Sequence, residues 1–251
     1  MPRYFIRVAY KGTNYAGFQV QDNANSIQAE VEKALKVFFK TNFQLTCSSR
    51  TDAGVHALCN YFHFDSESVL THLEKSIYNL NAILPFDIVI KAIILVSDTA
   101  HCRFDALSRE YEYYIYQSKN PFLSEKAFYY PYNTLHIDKL NEAAEIIKLY
   151  TDFTTFSKRN TQVKTFNCNI FKSKWVQKED YLVYQVQANR FLRGMVRGLV
   201  GTMLKVGTGR ITIEMFKDII QGKDCSQADF SVPPQGLFLI NVNYPESLLN
   251  L

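Results

Sequence analysis

The alternation of apolar and polar positions along the chain predicts secondary structure in two similar series. In the first series, apolar residues at every second position of 4–10 are typical of a strand, and the apolar residues after Asn25 recur with helical spacing, so that Asn25 is the predicted helix cap. The elements predicted next are strands near 43–47 and 56–64, a helix around 70–80 and a strand at 88–96. The order of the first series is therefore βαββαβ.

The second series repeats this order and adds one helix. Its predicted elements are a strand at 110–116, a helix around 140–147, strands near 168–176 and 181–188, a helix over about 190–206, a short helix near 212–221 and a last strand at 237–242. Two βαββαβ series in tandem predict an α+β protein made of two ferredoxin-like units, each with an antiparallel sheet and helices on one face. We place the domains at residues 1–105 and 106–251.

Charge is distributed unevenly over these two halves. The whole chain has a formal net charge of +4, whereas residues 153–213 hold eleven Lys or Arg against Glu179 and Asp180, which is +9 and leaves −5 for the rest. A positive segment on a nearly neutral protein favours a polyanionic partner, because each phosphate contact releases counterions. A merely solvated basic surface is the alternative that charge alone leaves open.

Three arginines fall on the predicted helix at 190–206. Arg190, Arg193 and Arg197 have the spacing i, i+3 and i+7 and would form one stripe opposite an apolar face. Exposed arginines are ordinary on a helix that packs on a sheet. No acidic residue occurs between Tyr181 and Ile213, however, so these guanidinium groups have no local carboxylate and remain available to phosphate or to a carboxylate elsewhere in the fold.

Other features of the composition exclude several classes of protein. No stretch approaches the ~18 to 20 uninterrupted apolar residues that a membrane span requires, and the first residues are typical of a strand rather than of a signal peptide. The five cysteines are widely spaced without a CxxC motif, and the five histidines are not expected to form a ligand cluster, so neither a disulfide framework nor a metal site is predicted. A cytoplasmic protein is expected.

The loop at 48–57 carries the candidate chemistry of the first half. Asp52, Ala53 and Gly54 have the composition of a turn in which the carboxylate caps its own backbone. The alternative is that Asp52 is a reactive carboxylate that Arg50 keeps ionised and that the flanking strands hold in place.

The eight residues Arg50-Thr51-Asp52-Ala53-Gly54-Val55-His56-Ala57 closely resemble the signature of the tRNA pseudouridine synthase A family. The resemblance continues through Arg109-Glu110-Tyr111, through residues 189–204 with Met195-Val196-Arg197, and through Pro233-Pro234-Gln235-Gly236-Leu237. It therefore spans nearly the whole chain. Ser49 stands where the family usually has glycine, and serine would be strained if that position required a positive φ.

The resemblance implies a role for each motif. Asp52 would be the catalytic nucleophile and Arg197 its basic partner; Tyr111 would stack on the target uracil, Arg50 would hold the flipped nucleotide out of the RNA, and Leu237 would line the base pocket. Since Asp52 lies in the first half and the others lie mostly in the second, the site is expected in a cleft between the two units. The basic segment would grip the tRNA backbone; its candidate residues are Lys158, Arg159, Lys164, Arg190 and Arg193.

The reaction that the resemblance implies is the isomerisation of uridine to pseudouridine at tRNA positions 38 to 40. The resemblance also implies a homodimer in which one anticodon arm contacts both subunits. The reaction needs no cofactor and no metal, because the same atoms are rejoined without net redox change. The carboxylate suits either attack on C1′ or removal of the 2′ proton in a glycal route. Two other classes remain as alternatives: a non-catalytic RNA-binding protein, against which the missing RNP1 pattern counts, and a metabolite enzyme, which would leave the +9 segment unexplained.

Overall fold

The computed structural model describes residues 1–132, 135–159 and 163–249, and the chain divides into two compact units. The first unit comprises residues 1–107 together with 238–251, and the second comprises 108–237. Each unit is a mixed α+β structure with mostly antiparallel strand pairing. No helix in the described ranges is long and apolar enough to cross a membrane.

The first unit has its sheet built around one central strand. Its elements are β1 (Arg3–Tyr10), α1 (Ile27–Phe39), β2 (Thr46–Cys47), β3 (His56–Asp65), α2 (Leu73–Ile83), β4 (Ile88–Val96) and a last helical turn at Glu246–Leu249. Strand β1 pairs antiparallel with both β3 and β4, so that Ile6 lies opposite Phe62 on one side and Ile93 on the other. These side chains are almost fully buried and form the core of the unit, because alternate residues of a strand point to the same face.

The second unit is arranged around β8. Its elements are β5 (Ser108–Tyr116), β6 (Phe128–Tyr129), α3 (Ile137–Ile146), β7 (Ile170–Lys178), β8 (Tyr181–Ala188), α4 (Met195–Gly207) and α5 (Ile213–Gln221). Strand β8 pairs antiparallel with β5 and β7, and Tyr184 lies opposite both Tyr113 and Trp175. These three large side chains are at most 3% exposed, which places them in the centre of the core.

The last strand of the chain, β9 (Leu237–Asn243), forms where the sequence predicts a strand at 237–242. Phe238 and Leu239 pair in parallel with His56 and Ala57 of β3 in the first unit. Apolar alternation identifies a strand but carries no information about its neighbour, because strand pairing is a long-range choice.

Two predicted helix starts are wrong. Helix α4 begins at Met195 and not near Arg190, since Gly194 immediately before it has φ 74°, a left-handed conformation that ends the preceding turn. Arg190 and Arg193 therefore precede the helix and do not share a helical stripe with Arg197. Helix α1 is capped by Ser26, whose hydroxyl accepts a hydrogen bond from the Ala29 amide at 3.3 Å, and not by Asn25.

Candidate active site

The Asp52 loop joins β2 to β3 in the first unit. A tight turn closes it, with the Val55 amide donating to the Asp52 carbonyl at 3.2 Å and Gly54 at φ 77°. Because φ values of this kind favour glycine, Gly54 allows the chain to reverse directly after Asp52 and enter β3. The Asp52-Ala53-Gly54 segment thus forms the predicted turn through its backbone. The Asp52 carboxylate takes no part in the hydrogen bond that closes this turn.

A second segment, residues 12–18, supports this loop through backbone hydrogen bonds. The Phe18 amide donates to the Thr51 carbonyl at 3.1 Å, and the Gly54 amide donates to the Tyr15 carbonyl at 3.3 Å. Gly17 has φ 120°, and a Cβ there would lie 3.2 Å from the Thr51 oxygen. The loop is therefore held on both sides of Asp52 by groups whose positions are fixed by main-chain geometry.

The Asp52 side chain is half-buried, and within the described part of its own unit its carboxylate accepts no hydrogen bond and forms no ion pair. Arg50 does not pair with it there. The Arg50 guanidinium is exposed, and its positive charge near the Cys47 thiol partly opposes the rise that burial causes in the pKa of that thiol. The prediction that Arg50 keeps Asp52 ionised is not supported within the loop.

Ser49 does not strain the loop. It is not among the described non-glycine residues with positive φ, so the family's usual glycine is not required here for its backbone conformation. Its side chain is buried, and the Asn60 side chain donates to its carbonyl at 2.9 Å.

Arg197 lies in the first turn of α4 in the second unit. Its Nε donates to the Val232 carbonyl at 2.8 Å and its Nη2 donates to the Phe230 carbonyl at 3.3 Å. Hydrogen bonds from a charged donor are among the stronger ones in proteins, so the segment at 230–232 fixes the guanidinium while leaving its charge unneutralised by these neutral acceptors. No pattern in the sequence indicates these two carbonyl partners.

The predicted uracil-stacking residue, Tyr111, is a buried residue of β5. Its ring meets the Phe191 ring edge to face, with centroids 5.1 Å apart and an interplanar angle of 84°. Arg109, two residues earlier on the same strand, donates to the Asn189 carbonyl at 2.9 Å. The segments at 109–111 and 189–191 are therefore brought together, as two of the motifs in the sequence require.

Leu237 is buried at the start of β9, directly after a single 3₁₀ turn at Pro234–Gly236. Tyr113 holds this turn in place, because its hydroxyl donates to the Pro233 carbonyl at 2.7 Å and its ring leaves no room for a side chain at Gly236. Burial raises the pKa of Tyr113 well above its ordinary value, and the nearby charge of Arg197 partly opposes that rise. Tyr113 was not among the residues predicted to matter for the site.

The structure brings two of the predicted RNA-binding residues into contact. Lys158 and Arg193 lie together, since the Lys158 amide donates to the Arg193 carbonyl at 3.0 Å and the Lys158 side chain covers Gly194. Arg159 is exposed and lies near Cys225, while Arg190 is half-buried and its charge partly opposes the rise that burial causes in the pKa of the Cys168 thiol. Lys164 is exposed.

Two histidines and a cysteine of the first unit form a group that the sequence did not predict. The donor atoms of His63, His101 and Cys102 lie within 4.8 Å of one another, and His63 Nδ1 is 3.1 Å from Cys102 Sγ. Both histidines, however, already use Nδ1 to accept a backbone amide proton, His63 from Cys102 and His101 from Arg103. The group therefore has the character of a buried hydrogen-bonding cluster, and we assign it no metal.

Comparison with known proteins agrees with the motifs. A family model described as tRNA pseudouridine synthase matches residues 6–105 and 150–245. The chain is 44% identical over 248 residues to the tRNA pseudouridine synthase A of Parabacteroides distasonis, covering 99% of this chain and 98% of that protein. It is 43% identical over 253 residues to the protein of the same name from Bacteroides thetaiotaomicron, covering 100% and 93%. It is 35% identical over 251 residues to that of Staphylococcus carnosus, covering 99% and 93%.

Proposed function

Since the chain belongs to the tRNA pseudouridine synthase family, and is thus an isomerase that acts on uridine in tRNA, we propose that it modifies positions 38 to 40 with Asp52 as nucleophile. The observation that carries this proposal is the half-buried Asp52 carboxylate, set in the complete eight-residue signature on a loop that backbone hydrogen bonds hold on both sides. The positions in the anticodon stem-loop rest on the resemblance of the motifs.

The chemistry requires one carboxylate and a site that retains the detached base. The N1–C1′ bond of uridine breaks and a C5–C1′ bond forms; the proton on C5 passes to water and N1 acquires a proton. A carboxylate that attacks C1′ displaces N1 and holds the sugar as a covalent ester while the uracil rotates. Attack of C5 on C1′ then breaks this ester bond and releases the carboxylate, as a glycosidase nucleophile is released. Asp52 suits this role because backbone hydrogen bonds hold the loop on both sides of it.

The other residues of the motifs complete the proposed site. Arg197 would pair with the Asp52 carboxylate, a role for which two main-chain carbonyls hold its guanidinium in place. Tyr111 would offer its ring to the uracil, Leu237 would line the base pocket, and Arg50 would hold the nucleotide outside the RNA stack. The exposed position of Arg50 supports this last role.

Binding of the tRNA backbone is assigned to the basic segment of the second unit. Lys158 and Arg193, which lie together, are the leading pair, and Arg159, Lys164 and Arg190 are the further candidates. We further propose that the chain arose as two ferredoxin-like halves along the sequence, residues 1–105 and 106–251, although residues 238–251 pack with the first unit, and that the protein acts in the cytoplasm as a homodimer. The βαββαβ order of the first unit supports the first of these proposals.

Replacement of Asp52 by asparagine tests the function directly. The purified Asp52→Asn variant should release no tritium from 5-tritiated uridine in an anticodon stem-loop substrate, because the amide cannot act as the nucleophile, while its affinity for that RNA in a gel-shift assay should stay within about twofold of the unsubstituted protein. Mass spectrometry of the product should locate pseudouridine at positions 38 to 40 for the unsubstituted protein alone.

The matched control is Asp98→Asn, which removes an exposed carboxylate of the same unit outside the loop. It should leave both activity and affinity unchanged. Near-normal turnover by Asp52→Asn would overturn the catalytic assignment, and RNA binding by the unsubstituted protein without any tritium release would favour the non-catalytic alternative.

A further inference from the structure

Below the Asp52 loop lies a buried group of polar side chains that the motifs do not include. We propose that Asn60 and Tyr10 are positioning residues: they fix the Ser49 carbonyl and the Thr51 hydroxyl on either side of Arg50 and, through them, the direction of the Asp52 carboxylate. The proposal rests on the proposed function, in which Asp52 is the nucleophile.

Asn60 uses both protons of its side-chain amide. Its Nδ2 donates to the Ser49 carbonyl at 2.9 Å and to the Tyr10 hydroxyl at 3.2 Å, and the Tyr10 hydroxyl shares a hydrogen bond of 2.8 Å with Thr51 Oγ1. A single amide thus reaches the residue before Arg50 directly and the residue after it through Tyr10. Thr51 immediately precedes Asp52, so the last link of this chain ends one residue from the carboxylate.

The orientation of the Asn60 amide is itself determined. Its Oδ1 accepts a hydrogen bond from the Tyr61 amide at 2.9 Å, and only the carbonyl end of the group can accept it. The Tyr61 carbonyl in turn accepts a hydrogen bond from the Ser48 amide at 2.8 Å, which anchors the start of the same loop. The opposite orientation of the amide would place two donors face to face at Tyr61, so Nδ2 is held toward Ser49 and Tyr10.

The burial of this group indicates that it serves orientation. Asn60 is 0% exposed, Tyr10 5% and Thr51 8%. Burying polar groups is unfavourable unless they are hydrogen-bonded, and apolar side chains of similar volume would fill the same space without that requirement. Apolar side chains could not fix the positions of the Ser49 carbonyl and the Thr51 hydroxyl, because they form no hydrogen bonds with these groups.

The strands supply the geometry that this arrangement needs. Pairing of β1 with β3 is regular up to Val8 opposite Asn60 and then shifts, so that Tyr10 lies opposite Ala57. Irregularities of this kind re-aim side chains next to functional sites. Here the shift lies at the start of β3, directly after the Asp52 loop. It places the Tyr10 hydroxyl within hydrogen-bond distance of both Asn60 and Thr51.

If this group positions Asp52, then loosening it should slow the chemical step without weakening the binding of RNA. A displacement of a reacting group by about 1 Å reduces rates by roughly 100-fold in enzymes. Tyr10→Phe removes one hydroxyl and leaves the ring in the core, where it packs against Phe18 with centroids 5.6 Å apart. We expect its single-turnover rate at saturating RNA to fall by about 10-fold or more, with the dissociation constant for RNA within about twofold of the parent.

The matched control is Tyr4→Phe on the same strand. Tyr4 is also fully buried, and its hydroxyl accepts a hydrogen bond from the Leu70 amide at 2.8 Å, away from the loop. The two variants therefore each remove one buried tyrosine hydroxyl of β1, and circular dichroism with urea titration checks that both fold. Equal single-turnover rates in Tyr10→Phe and Tyr4→Phe would overturn the proposal.

Thr51 provides a second, independent comparison. Thr51→Ser keeps the hydroxyl that Tyr10 bonds and should retain most of the rate, whereas Thr51→Val keeps the shape without the hydroxyl and should lose it. Because Tyr10→Phe and Thr51→Val break the same hydrogen bond, the double variant should be no slower than the slower single one, and multiplicative losses would contradict a shared role.

Asp52→Asn is measured alongside these variants to separate the two proposals. If Asp52→Asn stays active, the proposed function fails. If Asp52→Asn is inactive while Tyr10→Phe and Thr51→Val match the parent, the catalytic role of Asp52 stands and only the positioning role of Asn60 and Tyr10 is overturned.

Discussion

His63 is a buried histidine whose surroundings oppose its protonation. It lies on β3 with its ring 4.6 Å from the His101 ring, and its Nδ1 accepts the Cys102 amide proton at 3.3 Å. Burial, with smaller contributions from His101 and Arg3, lowers its pKa from 6.5 to about 4. The folded state therefore keeps this imidazole neutral at pH values where an exposed histidine is charged.

The neutral state of His63 makes the stability of the first unit depend on pH. Between pH 6.5 and 4 the unfolded chain binds a proton at this position that the folded chain does not, so the free energy of unfolding falls as the pH is lowered. Above about pH 6.5 the free energy of unfolding does not depend on this histidine. Below that pH the loss of free energy of unfolding grows, and it reaches at most about 3 kcal/mol near pH 4. Urea unfolding followed by circular dichroism at several pH values measures it.

Because carboxylates also titrate in acid, the test compares variants. His63→Gln should show a smaller loss of stability between pH 6.5 and 5 than the unsubstituted protein, whereas His72→Gln, at an exposed position of the same unit, should follow the unsubstituted profile. Parallel profiles for His63→Gln and the unsubstituted protein would show that His63 does not contribute.

At the scale of the elements, the first residues of α1 hydrogen-bond to the segment at 12–18 that supports the Asp52 loop. The Ser26 hydroxyl accepts from the Ala29 amide, and the Ile27 and Gln28 amides donate to the Gly17 and Phe18 carbonyls of the supporting segment. Ser26→Ala should lower the free energy of unfolding by about 1 kcal/mol, the usual effect of losing a helix cap. Asn25→Ala, at the neighbouring exposed position, should change it by less than about 0.5 kcal/mol.

Urea titration of both variants under the same conditions checks this prediction. A larger loss in Asn25→Ala than in Ser26→Ala would favour the cap that the sequence alone indicated. Both residue types are good caps, and adjacent candidates cannot be separated from the sequence, because the choice depends on which residue has extended backbone. Ser26 has φ −137° and ψ 153°, which is the conformation that a cap requires.

The elements themselves were largely predictable, and their ends were not. Alternation of apolar residues identified β1, β3, β4, β5, β7 and β8, because each strand has one face in a core. The start of α4 was missed by about five residues, since the apolar residues Phe191 and Leu192 continue the helical spacing although Gly194 breaks the helix. The spacing of apolar residues indicates which side chains face the core. It does not indicate where a single residue with left-handed backbone conformation interrupts the helix.

At the scale of the whole molecule, contiguous motifs were predictable and long-range partners were not. Asp52 could be predicted as a site residue because eight consecutive residues carry the signature. Tyr10, Asn60 and the carbonyls of Phe230 and Val232 were missed because each is ordinary in its own sequence context and becomes significant only through a partner that lies distant in the chain. The pairing of β9 with β3 was missed for the same reason.

The division of charge into a +9 segment and a −5 remainder leads to a prediction about binding. If the basic segment contacts tRNA phosphates, each contact that is removed should lower the affinity and also reduce the slope of log affinity against log salt by about 0.7 to 0.9. Lys158→Gln and Arg193→Gln remove one charge each while keeping much of the side chain, including the stem of Lys158 over Gly194. Neither should change the single-turnover rate at saturating tRNA, because the loss is in docking and not in chemistry.

Lys91→Gln is the matched control for these two variants, since it removes an exposed lysine of β4 in the first unit, outside the basic segment. Filter binding of tRNA from about 50 to 200 mM salt should give a smaller slope for Lys158→Gln and Arg193→Gln and an unchanged slope for Lys91→Gln. Unchanged slopes in the first two variants would exclude this pair from the tRNA contact. An equal reduction in all three would mean that the charge of the whole molecule, and not the segment at 153–213, sets the affinity.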